Sequence, residues 1–268
     1  MKNILENKIQ QYEAKEDKYN YAREFLQELI LQIIDRQGYF KNLAFVGGTA
    51  LRILYDLPRF SEDLDFSLVN ANEFSFKALL ITLKKELELN GFEVEEVKAN
   101  DKIVLGEFIR FKGLLYDLGL SQHKSEKLFV KMEIDSNPPQ GYEAEIALVN
   151  KNFMFKVRSY KLDSLFAGKL HALLFRKYDK GRDYYDLLWL LTRKTEINYK
   201  FLSLAAEQTQ GNRFELDPEK TKELLLTKID KTDFSKILRD VRPFLEKIEE
   251  AELFTEEIFI GAIEKYFS

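Results

Sequence analysis

The sequence predicts an α+β fold in which N-terminal helices lead into a mixed-sheet core and a helical lobe follows it. Three observations lead there. From Met1 to about Gln37 the chain holds helix formers without Gly or Pro, and Leu26, Leu29, Ile30, Ile33 and Ile34 recur at the three-and-four spacing of an amphipathic helix. Between residues 43 and 157, short apolar runs are broken by Gly, Pro and Asn, as strands are. From Leu162 onward nearly everything reads helical again. The expected division is residues 1–160 for the helices and sheet core and 161–268 for the helical lobe.

Gly38 is placed to end the first helical region. Strands are expected at residues 43–46, 64–68, 104–111, 128–134 and 153–157, with a helix at 74–90 between the second and third. Breaks in the later helices are expected at 192–198, 211–218 and Thr232.

Composition narrows the chemistry. Lys plus Arg number 41 and Asp plus Glu 45, a net charge of −4, which excludes a bulk cationic nucleic-acid binder. With 45% hydrophobic residues the chain can bury a core. It has no Cys and two His, which excludes disulfides, thiolate zinc clusters, thiol nucleophiles and multi-histidine metal sites. Metal chemistry must then rest on carboxylates, which select hard cations such as magnesium or manganese. No apolar run approaches the roughly 18 to 20 residues of a membrane span, and MKNILENKIQ lacks the apolar stretch of a signal peptide. The expectation is a cytoplasmic protein with no membrane partner.

The most informative stretch is FVGGTALRILYDLPRFSEDLDFSL, residues 45–68, which reads as strand, tight turn, helix, loop, strand. Gly47 and Gly48 let backbone approach a ligand closely, and Thr49 is placed to cap a helix whose N-terminus attracts anions, a combination that favours phosphate. A glycine pair alone is more often an ordinary strand-to-helix turn. Asp63 and Asp65 are two apart on a strand, so both carboxylates share a face at roughly 6 to 7 Å, while Leu64 and Phe66 point inward. An outward pair is often a solvated face, but a third acid appears in FVKMEIDSNPP, where Glu133 and Asp135 occupy alternate positions of another strand. Carboxylates on two neighbouring strands beside a phosphate-friendly turn are what two-metal phosphoryl or nucleotidyl transfer requires.

With Arg59 and Ser61 between the GGTALR turn and the Asp pair, the pattern resembles the nucleotidyltransferase superfamily with a polymerase-beta-like palm. More narrowly it resembles the AbiEii/AbiGii-type toxin branch of abortive infection and toxin–antitoxin systems. Four motifs carry the resemblance over roughly residues 43–191: GGTALR through SEDLDF, KMEI, KLHALLFR and KGRDYYDLLWLL. It implies transfer of a nucleoside monophosphate from a nucleoside triphosphate to an RNA acceptor, best matched by the tRNA 3′ end, and a cognate antitoxin. In that picture Gly47, Gly48, Thr49, Arg59 and Ser61 contact the nucleotide. Asp63 and Asp65 hold magnesium or manganese, with Glu133, or Asp135 in its place, as third ligand or base.

The later motifs read consistently. Leu162, Leu165, Phe166, Leu170, Leu173 and Leu174 form an apolar helical stripe with Lys169 inside it, and Arg176 lies two turns along the same side. The pair could grip successive phosphates, or both could snorkel to solvent. His171 falls on the opposite face and reads as a surface residue. Asp183 and Asp186 share a helical face, with Arg182 beside them as a further nucleotide contact; Asp183 also suits the helix dipole. The resemblance gives one of these aspartates, with Lys169, a catalytic part and leaves open which. Residues 151–182 carry nine Lys or Arg against two acids, a local site for a polyanion or simply a solvated basic face. Lys156, Arg158 and Lys161 are the expected RNA phosphate contacts.

Two rivals share these features. A small-molecule, antibiotic-type nucleotidyltransferase would need no long cationic track. A non-catalytic nucleotide-binding module would tolerate loss of Asp63, Asp65 and Glu133.

Overall fold

The N-terminal run folds as helices, as expected, and divides at residues 10–14 into α1 (Lys2–Ile9) and α2 (Lys15–Arg36), a division the sequence does not mark. Glu16 and Asp17 in the first turn of α2 favour its N-terminus, and Gly38 follows the helix in the left-handed region at φ 74°. The structure, a computed structural model, describes residues 1–97 and 104–268. These form two compact units, the first comprising Met1–Leu54, Phe60–Pro138 and Glu145–Ser159, the second Tyr55–Arg59, Pro139–Ala144 and Tyr160–Ser268.

Unit 1 is built on a six-stranded sheet made of β1 (Leu43–Val46), β2 (Asp63–Leu68), β3 (Val104–Phe111), β4 (Leu128–Asp135), β5 (Ala144–Asn150) and β6 (Met154–Tyr160), in the order β3-β4-β2-β1-β6-β5. Strand β1 runs antiparallel to β2 and parallel to β6, β2 runs parallel to β4, and β3 runs antiparallel to β4. The sheet is therefore mixed, as expected. Three helices complete the unit: α3 (Gly47–Tyr55), α4 (Phe76–Leu89) and the short α5 (Leu114–Asp117). Ser75 caps α4 by accepting from the Ala78 amide.

Alternation decides which sheet residues go inside. Leu64, Phe66, Val130, Met132 and Ile134 are buried, and the residues between them face the other way. Helix α2 packs against α4 and β4, and Leu29, Ile30 and Ile33 are among its buried residues. Strand β5 is absent from the expectations for a physical reason. It lies at the sheet edge with Ile146 and Leu148 exposed, and its apolar run is only four residues long, Ile146 to Val149, which is a weak strand signal.

Unit 2 is helical: α6 (Leu162–Phe175), α7 (Gly181–Thr192), α8 (Tyr199–Gln210), α9 (Pro218–Asp230), α10 (Phe234–Val241) and α11 (Glu256–Tyr266). Asn198, Asp217, Asp233 and Thr255 each accept a backbone N–H at the start of the last four, with Pro218 in the first turn of α9. The breaks expected at 192–198, 211–218 and Thr232 match the connections between helices, with Thr192 closing α7 and Pro218 opening α9. Helix α6 packs on α7 and α8, and α7 on α10 and α11. Among the described residues no helix is long and apolar enough to cross a membrane.

Candidate active site

In unit 1, the turn from β1 into α3 brings the glycine pair against the acidic strand. Gly47 has φ 80°, and a Cβ there would overlap Oδ2 of Asp65. Only a residue without a side chain lets the start of α3 lie this close to that carboxylate. Gly48 and Thr49 are buried in the same turn. Thr49 is not the helix cap that its position suggests. Its hydroxyl donates inward to the carbonyl oxygen of Asp63, which ties the first turn of α3 to β2. Ser61 is half-buried, and its carbonyl accepts from Gln27 at 3.0 Å.

Asp63 and Asp65 share the face opposite Leu64 and Phe66, as expected. In the parallel register Asp63 lies opposite Lys131, Asp65 opposite Glu133 and Ser67 opposite Asp135. Asp63, Asp65, Lys131 and Glu133 thus form a two-by-two block on one face, with Asp135 one pair further along. Lys131 pairs with Glu133 at 2.8 Å. Partial burial works against its charge, but Glu133, Asp63 and Asp65 outweigh that and hold the ammonium above its ordinary pKa. Lys131 was missed in the sequence, although a lysine two positions before an acid on one strand must share its face.

Among the described residues no group of three His, Cys, Asp or Glu is arranged to hold a metal ion. The donors nevertheless suit one. All are hard oxygens, all lie on one face of adjacent strands, and the pairing of Glu133 with Lys131 gives that carboxylate another partner. Lys156 and Arg158 also belong to unit 1, on β6. The Lys156 amide donates to Asp35 at 3.0 Å, and with Lys41, Phe40 and Ile146 the two side chains line a shallow cleft.

Unit 2 holds a separate cluster. Arg59 and Asp186, 127 positions apart, form a bidentate pair at 2.7 Å for both contacts, with side-chain exposures of 1% and 0%. Lys169 reaches Asp186 at 2.7 Å and Asp183 at 3.3 Å, and Arg176 reaches Asp183 at 2.5 Å. Burial opposes every charge here. Arg59 and Lys169 still hold the Asp186 carboxyl below its ordinary pKa, and Asp186 and Asp183 hold Lys169 above its own. Lys169 is therefore buried because two aspartates accept it, not because it snorkels.

Three local expectations need correcting. Helix α6 ends at Phe175, and Arg176 is extended at ψ 142°, so it does not continue the Lys169 face; the two cations meet through Asp183 instead. His171 is not a free surface residue. Its ring bonds the Thr209 hydroxyl at 2.8 Å, and burial lowers its pKa. Arg59 belongs with α7 rather than with the glycine turn. Of the remaining cations in unit 2, Lys161 pairs with Glu143 at 2.7 Å, and the Arg182 guanidinium lies 4.4 Å from the Phe244 ring centre.

The model of the nucleotidyl transferase AbiEii toxins of type IV toxin–antitoxin systems matches residues 29–256. Among solved structures, the chain is similar to the nucleotidyltransferase toxin MenT4 of Mycobacterium tuberculosis, with TM-score 0.62 and 16% identity over 100% of this chain and 88% of that one. It is also similar to JHP933 of Helicobacter pylori, with TM-score 0.56 and 20% identity over 92% and 93% of the two chains. At such identities the likeness is one of fold. No curated protein matches the chain.

Proposed function

The chain belongs to the nucleotidyl transferase AbiEii toxin family, and from that premise we propose that it moves a nucleoside monophosphate from a triphosphate to an RNA, the tRNA 3′ end, releasing pyrophosphate. Membership of a type IV toxin–antitoxin family implies a cognate antitoxin. The observation that carries the reading is the block of Asp63, Asp65 and Glu133 on one sheet face, with Gly47 pressed against Asp65.

Asp63 and Asp65 are the residues we assign to magnesium or manganese, with Glu133 as third ligand or base. Such an ion supplies Lewis-acid activation and charge neutralisation. The backbone N–H groups at the start of α3, at Gly47 and Gly48, are assigned to phosphate, with Thr49 keeping that turn in place and Ser61 beside the Asp strand. Lys169, Arg176 and Arg182 are assigned to neutralising charge on the phosphates. For Lys169 and Arg176 that means exchanging Asp183 for a phosphate oxygen. Both aspartates have both oxygens in ion pairs, but Asp186 is held by the fully shielded Arg59 whereas Asp183 is held by Arg176, which is 30% exposed, so the acid–base part is assigned to Asp183.

The test incubates the protein with each labelled triphosphate, magnesium and total RNA. Label is expected in the tRNA fraction, and Asp65→Asn is expected to abolish it, because an amide lacks the anionic oxygen that a hard cation demands. Transfer that survives a chelator would sink the metal assignment. Label on a small molecule would favour an antibiotic-type acceptor, and label on the protein a self-modification.

Lys156, Arg158 and Lys161 are assigned to RNA phosphates. Neutralising all three is expected to flatten the log–log salt dependence of RNA binding by about two to three. An unchanged slope would place the RNA elsewhere.

A further inference from the structure

We propose that Lys131 is the built-in counter-cation of the carboxylate block, a positioning residue that holds Glu133 and offsets Asp63 and Asp65 until a divalent cation takes its place. The inference rests on the metal assignment above and concerns what the block does without metal.

Register makes the argument. Asp65 and Glu133 are directly opposite on neighbouring strands, a like-charge pair that destabilises a sheet. Asp63 lies two residues from Asp65 on the same face, about 7 Å away, so three carboxylates crowd one patch. Lys131 is the fourth corner. It is directly opposite Asp63, two residues from Glu133 on its own strand, and diagonal to Asp65. Its ammonium is in contact with Glu133 at 2.8 Å. On the other side β3 places Phe108 opposite Lys131, with the ammonium 5.9 Å from the ring centre, within reach of a cation–π contact. Lysine suits this place better than arginine. A single flexible ammonium can offset part of the patch's charge and swing away, whereas a guanidinium fork would clamp a carboxylate.

A lysine in this position competes with metal. One ammonium lowers the repulsion among the three acids but also lowers the attraction the patch exerts on a divalent ion, which must displace it. Removing the charge therefore weakens the metal-free protein and tightens metal binding.

The experiment titrates manganese, followed by its paramagnetic resonance, into the wild-type protein, Lys131→Met, Lys131→Gln and Lys131→Arg, and melts each protein in chelator and in manganese. Lys131→Met and Lys131→Gln are expected to bind manganese about tenfold more tightly. In chelator they should melt about 5 °C lower than wild type, with manganese closing the gap. Lys131→Arg should bind no more tightly than wild type. Lys131→Gln keeps a donor for Glu133, so it reads out the charge even if Lys131→Met does not fold. Manganese affinity that is unchanged or weaker in the neutral variants, with wild type binding normally, overturns the counter-cation role and leaves the metal assignment standing. Absence of binding in every protein overturns both.

Discussion

Asp186→Ala is expected to cost about 3–5 kcal/mol of folding stability, the range for breaking a buried ion pair by removing one partner. Arg59 and Asp186 are almost wholly shielded from water, and Lys169 reaches the same carboxylate. Losing the carboxylate leaves Arg59 without its bidentate partner and Lys169 with Asp183 as its remaining anion. The double variant Arg59→Met with Asp186→Leu should be more stable than Asp186→Leu alone, because it removes the stranded charge together with its partner. Urea denaturation of the three variants decides this. A double variant no more stable than Asp186→Leu would mean the pair is not a charge problem at all. Asp183→Asn should cost less, since Lys169 keeps Asp186 and Arg176 is 30% exposed.

The pH dependence follows from the directions of the shifts. Asp186 is held below its ordinary 3.8, so its contribution is complete above that value and is lost as pH falls through the lowered one. Lys169 is held above its ordinary 10.5, so its contribution is complete below that value and is lost as pH rises through the raised one. The network therefore supports the fold across the neutral range.

What the sequence made legible and what it hid divide along the same line, local against distant. Strands β1 and β3 have the bounds expected of them; β1 is an apolar run closed off by Asn42 and Gly47, and β3 ends where Lys112 and Gly113 follow Phe111. The facing of Asp63 and Asp65 follows from the two-residue period of a strand. The division between α1 and α2 was invisible because residues 10–14 contain no helix breaker. The Thr49 hydroxyl looked like a cap because caps are local, and its actual acceptor lies 14 positions on. Arg59 and Asp186 are too far apart in sequence for any pattern to pair them. Lys169 is the instructive middle case. Its place inside an apolar stripe marked it as special, but the two aspartates that make it tolerable come from α7.

Gly47→Ala is expected to lower nucleotidyl transfer by at least about 100-fold, the order of loss that follows a misplacement of roughly 1 Å at a reacting centre. Two separate effects act at this residue. Its φ of 80° costs an L-residue about 1–2 kcal/mol, and the new methyl would occupy the space of Asp65 Oδ2, with Asp65 Cβ and Cγ only 3.1 Å away. The carboxylate must rotate or the start of α3 must retreat, and either change separates the Asp pair from the turn assigned to phosphate. Gly38 isolates the first effect. Its φ of 74° is as unfavourable for alanine, yet nothing lies within 4 Å of the added Cβ. Gly38→Ala should thus lose only the stability that the backbone strain costs and keep its transfer activity. Measuring both melting temperature and transfer in the two variants separates strain from contact. A Gly47→Ala protein that transfers within tenfold of wild type would show that the approach of this turn to Asp65 plays no part in the reaction.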